Sequence, residues 1–212
     1  MVFIRIFGKE RQMVIQKFLV KHDNNCEDVF EIRYRTADDY NKILDLYQSI
    51  PDEEIDYFLT DVKNPEILAL WLKPNELIET IALVAQTDGT IIGESILVRQ
   101  KSSKTSHVGT IRFYIKPEWR KHGIGTMLIS SLLTESMNMG IEKLSVYIPE
   151  KADKKFGTIL IKTGFSKEAV LKNHYRTQTG AKQNVIVYGR DLEELWDRIS
   201  DWVGNYGRAM EY

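Results

Sequence analysis

Cysteine is nearly absent from this sequence: Cys26 stands alone in 212 residues. That excludes an intramolecular disulfide and any cysteine-based metal cluster. The thiol sits in the polar, turn-like stretch KHDNNCEDV, where an ordinary loop residue is expected. An excess of charge of either sign is also missing, since 29 basic and 30 acidic side chains leave a formal net charge of −1. No global basic field points to nucleic acid, so any anion site must be local. No apolar run approaches the ~20 residues that span a bilayer. The opening MVFIRIFGKERQ lacks the apolar stretch and small-residue cleavage site of a secretory signal. The expectation is therefore a cytoplasmic protein with one main hydrophobic core and no membrane or nucleic-acid partner.

Periodicity divides what is present. Residues 1–28 read as an N-terminal extension packed on the core, mixed in pattern at first and strand-like from Lys17 to Lys21. HDNN then makes a turn to a partner strand, Val29 to Arg35. Thr36 is a candidate cap for a helix whose apolar face is Tyr40, Ile43, Leu44 and Tyr47, stopped by Pro51. DEEIDYFLTDV and NPEILALWL read as two short helices, the second with Pro65 in its first turn. After Pro74 the pattern turns to strands: TIALVAQ and TIIGESILVRQ joined by TDGT as a hairpin, then HVGTIRFYIK. In that third strand Ile111, Phe113 and Ile115 alternate with Thr110, Arg112 and Tyr114, as burial on one face requires. A helix follows from about Ile124 to Met139, with Ile124, Leu128 and Leu132 on one side and Gly140 past its end. EKLSVYI is the next strand, Asp153 a candidate cap of a short helix closed by Gly164, and FSKEAVLK pairs with KQNVIVYGR across TQTG. Residues 191–212 form an amphipathic helix with Leu192, Leu195, Trp196, Ile199 and Trp202 on one side. That stripe is a docking face for the chain's own core or a homodimer contact.

The segment YIKPEWRKHGIGTMLISSLL places Arg120, Lys121 and His122 beside Gly123 and Gly125, between a strand and a helix. The first N–H groups of a helix have no partner within it, and the helix dipole adds partial positive charge there. Glycines let an anion approach those groups, and Arg120 can add hydrogen bonds. The alternative is an ordinary helix start with a snug turn. A P-loop is excluded because its Lys-Ser/Thr is missing, and a dinucleotide fingerprint because Leu128 stands where a third glycine belongs.

Arg120-Lys121-His122-Gly123-Ile124-Gly125 resembles the Arg/Gln-x-x-Gly-x-Gly/Ala signature of the GNAT acetyltransferase superfamily. The order of elements from about Val29 to Arg190, the opening IRYRTADDYNKILDL and the LIKTGF at Leu160 to Phe165 are similar too. The resemblance implies an α/β fold. Its centre is a mixed, mostly antiparallel sheet, splayed at the motif strand and flanked by helices, with the GNAT domain at 29–190. It implies acetyl-CoA as co-substrate, with no metal, and direct attack by the amine of a small molecule, amino acid or peptide. The cofactor-binding set carried over is Phe113, Tyr114, Ile115, Arg120, Lys121, His122, Gly123, Ile124, Gly125 and Thr126. The backbone N–H of Ile115 is the candidate oxyanion donor.

Some positions depart from the family's pattern. Leu160 stands where many members have a tyrosine as general acid, and Asp153 where many have an asparagine. Gly109 and Thr110 occupy the place of the usual acidic base. His107 and Tyr147 are therefore the candidate catalytic groups for proton transfer. Acceptor contacts are expected from Glu53 and Glu54 in one loop and from Tyr175 and Arg176 in another. A binding module that senses acetyl-CoA without turnover, and a scaffold with no affinity for it, are the rival readings.

Overall fold

The computed structural model describes residues 16–21, 27–72, 76–101 and 103–192. Cys26 and the C-terminal amphipathic stripe beyond Leu192 lie outside them, as do most of residues 1–28. Strands β1 (Gln16–Lys21), β2 (Glu27–Tyr34), β3 (Ile78–Thr87), β4 (Thr90–Gln100), β5 (Val108–Ile115), β6 (Lys143–Pro149), β7 (Ser166–Arg176) and β8 (Lys182–Asp191) form one sheet. Its order is β1-β2-β3-β4-β5-β6-β8-β7, antiparallel at every junction except the parallel β5–β6 pair. The β3–β4 hairpin turns on Asp88 and Gly89, at φ 45° and 75°. An Asp-Gly pair accepts two left-handed residues at low cost, and that twist suits a tight hairpin.

Helices cover both faces. Helix α3 (Ile124–Asn138) and helix α4 (Asp153–Lys162) lie on one. There Leu128, Ile129 and Leu132 pack with Ile111, Ile115, Leu144 and Leu160. Helices α1 (Tyr40–Gln48) and α2 (Pro65–Leu72) lie on the other, where Ile43, Leu46, Tyr47 and Leu68 pack with Val84, Ile91 and Tyr114. The face of α1 turned to the sheet is thus Ile43, Leu46, Tyr47 and the following Ile50, spaced i, i+3, i+4, i+7; Tyr40 is exposed. Since α1 and α2 cover the second face, Tyr114 is as buried as Ile111, and β5 is not the one-sided strand its alternation suggests.

Two short segments differ from expectation. DEEIDYFLTDV forms only a 3-10 turn, Asp52–Tyr57, whose buried residues are Glu54 and Ile55. It gives no apolar stripe long enough to extend a helix. Asp153 does not cap α4: a 3-10 turn, Glu150–Ala152, already leads into the helix. Its carboxylate instead accepts from Tyr188 Oη and Lys167 Nζ on the neighbouring strands.

The entry to α1 is fastened by charge. Arg33 donates from both terminal nitrogens to the Asp39 carboxylate, at 2.7 Å each, and the Thr36 N–H donates to the same carboxylate at 2.8 Å. Burial alone would raise the Asp39 pKa; the Arg33 and Thr36 hydrogen bonds outweigh it and hold it at about 2. A depressed folded-state pKa contributes stability above the ordinary aspartate value, lost as pH falls toward 2. Asp39→Asn is expected to cost about 2 kcal/mol in denaturant melts at neutral pH, a gap that narrows below about pH 4. A gap of constant size across acid pH would show that the charge is not its source.

Candidate active site

The sheet opens at one place. β5 pairs with β6 only over Val108, Gly109 and Thr110, opposite Lys143, Leu144 and Ser145. Its other edge stays paired with β4 from Gly109 to Ile115. The Lys116 N–H donates to Ile92 C=O at 3.0 Å, which fixes the ladder's phase. In that phase Arg112 and Tyr114 turn their backbone N–H and C=O groups to β4, while Phe113 and Ile115 turn theirs to the side that β6 has left. The gap leads to a cavity of about 310 Å³. Its lining includes Phe113, Val146, Ile148 and Phe156, and also Tyr47, Tyr57, Phe58, Trp71, Arg112 and Tyr147.

At the same end of β5 lies the basic, glycine-containing turn. After a 3-10 turn, Pro117–Trp119, the chain passes through Lys121 at φ 68° and Gly123 at φ 84° into α3. Gly123 is needed for that left-handed conformation, and its face is open: a Cβ there would meet only Met127 Cε, at 3.8 Å. Gly125 serves a different purpose. It is buried, and a Cβ would fall 2.5 Å from Ile159 Cδ1 and 2.6 Å from Ile115 Cδ1. Its missing side chain lets α3 sit against β5 and α4, which places the first N–H groups of α3 beside the strand's end. Met127 N–H closes the first helical bond on Gly123 C=O, so those of Ile124, Gly125 and Thr126 have no partner inside the helix.

Comparison with known proteins gives the chain a family. The model of the acetyltransferase (GNAT) family matches residues 37–156, more than half of the chain. The chain belongs to the GNAT acetyltransferase family. Solved GNAT-type structures share its fold at low identity. A GNAT acetyltransferase of Streptococcus pneumoniae is 18% identical with a TM-score of 0.62, covering 76% of this chain and 99% of its own. The ribosomal-protein-alanine N-acetyltransferase of Brucella melitensis is 19% identical at 0.63, with 76% and 99% covered. The yncA protein of Salmonella typhimurium, solved with its cofactor acetyl-CoA, is 17% identical at 0.64, with 77% and 94% covered.

Within this GNAT fold the remaining candidates are dispersed. Tyr147 reaches the cavity from β6. His107 is exposed just before β5, where its C=O accepts from Glu142 and Lys143 N–H, at the closed end of the β5–β6 pair. Arg120 donates from Nε to Ile115 C=O at 2.9 Å and from its two terminal nitrogens to Glu54, at 2.7 and 2.6 Å. Lys155 of α4 also donates to Glu54. Glu54 is thus buried in a structural ion cluster, and Glu53 beside it is exposed. Burial would raise the Glu54 carboxyl; hydrogen bonds from Arg120 and Lys155 hold it below the ordinary glutamate range. Tyr175 Oη donates to Asp56 C=O at 3.1 Å, and the Gln178 N–H to the Asp56 carboxylate at 3.0 Å, which ties the β7–β8 hairpin to the 52–57 turn. Burial, then Asp56, pushes the Tyr175 phenol up to about 12. Arg176 is exposed and donates to Gly180 C=O within its own hairpin.

At the cavity, sequence reasoning offers Glu94 only as a weak candidate for proton transfer and misses two lining residues, Tyr47 and Arg112. Tyr47 Oη donates to Glu94 at 2.8 Å, and Arg35 holds the other Glu94 oxygen at 2.7 Å. Burial raises both the Tyr47 and the Glu94 pKa. The second is Arg112 stacked on Trp71. Its alternation with buried residues marks it as a solvent-side position, and it is exposed; only the placement of α2 shows that Trp71 lies against its guanidinium.

Proposed function

We propose that this chain transfers an acetyl group from acetyl-CoA to a primary amine by direct attack. One observation carries the reading: the edge of β5 that β6 leaves, the backbone of Phe113 and the N–H of Ile115, runs into the N–H groups of the α3 start that have no partner inside the helix. A pantetheine arm needs amide partners along an extended edge, and a pyrophosphate needs N–H donors at its end. Both lie in line here, so the residues fit the molecule. Lys121, His122, Gly123, Ile124, Gly125 and Thr126 hold the pyrophosphate, and Phe113 and Ile115 the arm; Tyr114, bonded to β4 and buried among Ile43, Leu46 and Tyr47, offers it no group. When bound, acetyl-CoA supplies an activated thioester.

The chain's own groups orient the two reactants and move the protons. The N–H of Ile115, turned to the gap, donates to the thioester oxygen as negative charge grows on it. Tyr147 faces the same gap from β6; it would give a proton to the departing thiolate and recover one from the nitrogen that has attacked, ending as the phenol. The Tyr47–Glu94 pair offers the ammonium proton of the acceptor a route out of the cavity, Tyr47 Oη passing one proton to Glu94 as it takes another. The aromatic walls exclude water, which limits hydrolysis of the thioester.

Equilibrium binding of acetyl-CoA, followed by thiol release with a mixed panel of amines, tests the reading. Binding in the micromolar range and amine-dependent release are expected. A folded protein with no affinity for acetyl-CoA would remove it.

A further inference from the structure

Arg112 is the one charged side chain among the described residues that line the cavity. The strand's alternation puts it on the α1 and α2 side, and its guanidinium carbon lies 4.7 Å from the centre of the Trp71 ring. Stacking fixes the plane of the guanidinium and leaves its N–H edge for a partner. No carboxylate among the described residues takes that place. Glu94 is held by Arg35 and Tyr47, Glu54 by Arg120 and Lys155, and Asp56 by Lys151 and the Gln178 N–H.

A partly desolvated cation without a counter-ion is costly, and a ligand that brings an anion relieves that cost. Burial also lowers the Arg112 pKa, in keeping with an uncompensated charge. The anion is not the pyrophosphate. Arg112 stands three residues before Ile115, about 10 Å along the strand, and faces away from α3. Tyr47, Tyr57, Phe58 and Trp71 give the cavity lining an aromatic surface. An acceptor with only ammonium groups, such as a polyamine, would set like charges together here.

We infer that Arg112 binds a carboxylate of the acceptor, which is therefore an amino acid with an apolar side chain. The amine half of this inference rests on the acetyltransferase reading; the carboxylate half rests on the cavity alone.

The test uses two pairs of probes on the full chain and on Arg112→Gln. In equilibrium binding with CoA present, the parent is expected to bind 3-phenylpropionate at least about tenfold tighter than 3-phenylpropanol, as for a hydrogen-bonded charge. Arg112→Gln should bind the two alike and keep the parent's affinity for acetyl-CoA. In turnover, phenylalanine should exceed phenethylamine in kcat/KM by a similar factor, again lost in the variant. Equal or undetectable affinity for acid and alcohol in the parent, or a preference retained by the variant, overturns the inference. An acid preference without acetylation of either amine keeps the carboxylate subsite and removes the acetyltransferase reading instead.

Discussion

Gly123→Asp is expected to weaken acetyl-CoA binding about 100-fold, whereas Gly123→Asn costs less than about tenfold. Both substitutions place a side chain of the same size on a backbone at φ 84°. Asn and Asp are the residues other than glycine that enter this left-handed region with least strain. A Cβ there has no close neighbour, so neither variant should fail to fold for lack of room. What differs is charge. A carboxylate about 5 Å from a pyrophosphate, at an effective dielectric constant of about 20, opposes binding by about 3 kcal/mol. Raising the salt toward 1 M shortens the screening length to about 3 Å and should shrink the gap between the two variants. If Asp and Asn weaken binding equally, or neither does, the phosphate does not lie on this turn.

The order of elements is legible in the chain because each depends on neighbours in sequence. Apolar, β-rich runs mark β3 and β4, period-two alternation marks β5, Asp88-Gly89 marks the β3–β4 hairpin, and Gly123 marks a backbone that must turn left-handed before α3. What depends on distant partners is not legible. Glu54 reads as one of three acids opening a helix, yet its partner Arg120 is 66 residues away. Arg112 reads as a solvent-facing position on a half-buried strand, and it is exposed, but nothing in its neighbours announces that α2 sets Trp71 against it. The splay of β5 from β6 is likewise a property of two strands with a helix between them, and nothing local announces where their pairing ends. Gly125 shows how one letter carries two meanings: the motif offers it as room for an anion, and the fold uses it as room for Ile115 and Ile159.

The Glu54–Arg120 pair decides whether the motif arginine serves the fold or the ligand. Its three side-chain nitrogens donate to Glu54 and to Ile115 C=O, so one guanidinium joins the end of β5, the turn before α3 and the 52–57 segment. Both side chains are largely buried, at 16% and 4% exposure. Removing the charge of Glu54 leaves a guanidinium without its partner in a poorly solvated place. Glu54→Gln is therefore expected to cost about 3 kcal/mol. For a chain of this size that lowers Tm by roughly 6–12 °C. The Glu54 carboxyl is held below its ordinary range, so the parent has this stability above the usual glutamate pKa and loses it as pH falls through the lowered one. The gap between parent and variant should close on the acid side. Acetyl-CoA affinity, measured well below the melting point, discriminates the two tasks. If Arg120 braces the strand and turn, the variant binds acetyl-CoA as the parent does or more weakly. If Arg120 is a phosphate ligand restrained by Glu54, releasing it strengthens binding. The existing hydrogen bond to Ile115 C=O and the second donor to Glu54, Lys155, favour the brace, because neither would be needed to present a side chain to solvent.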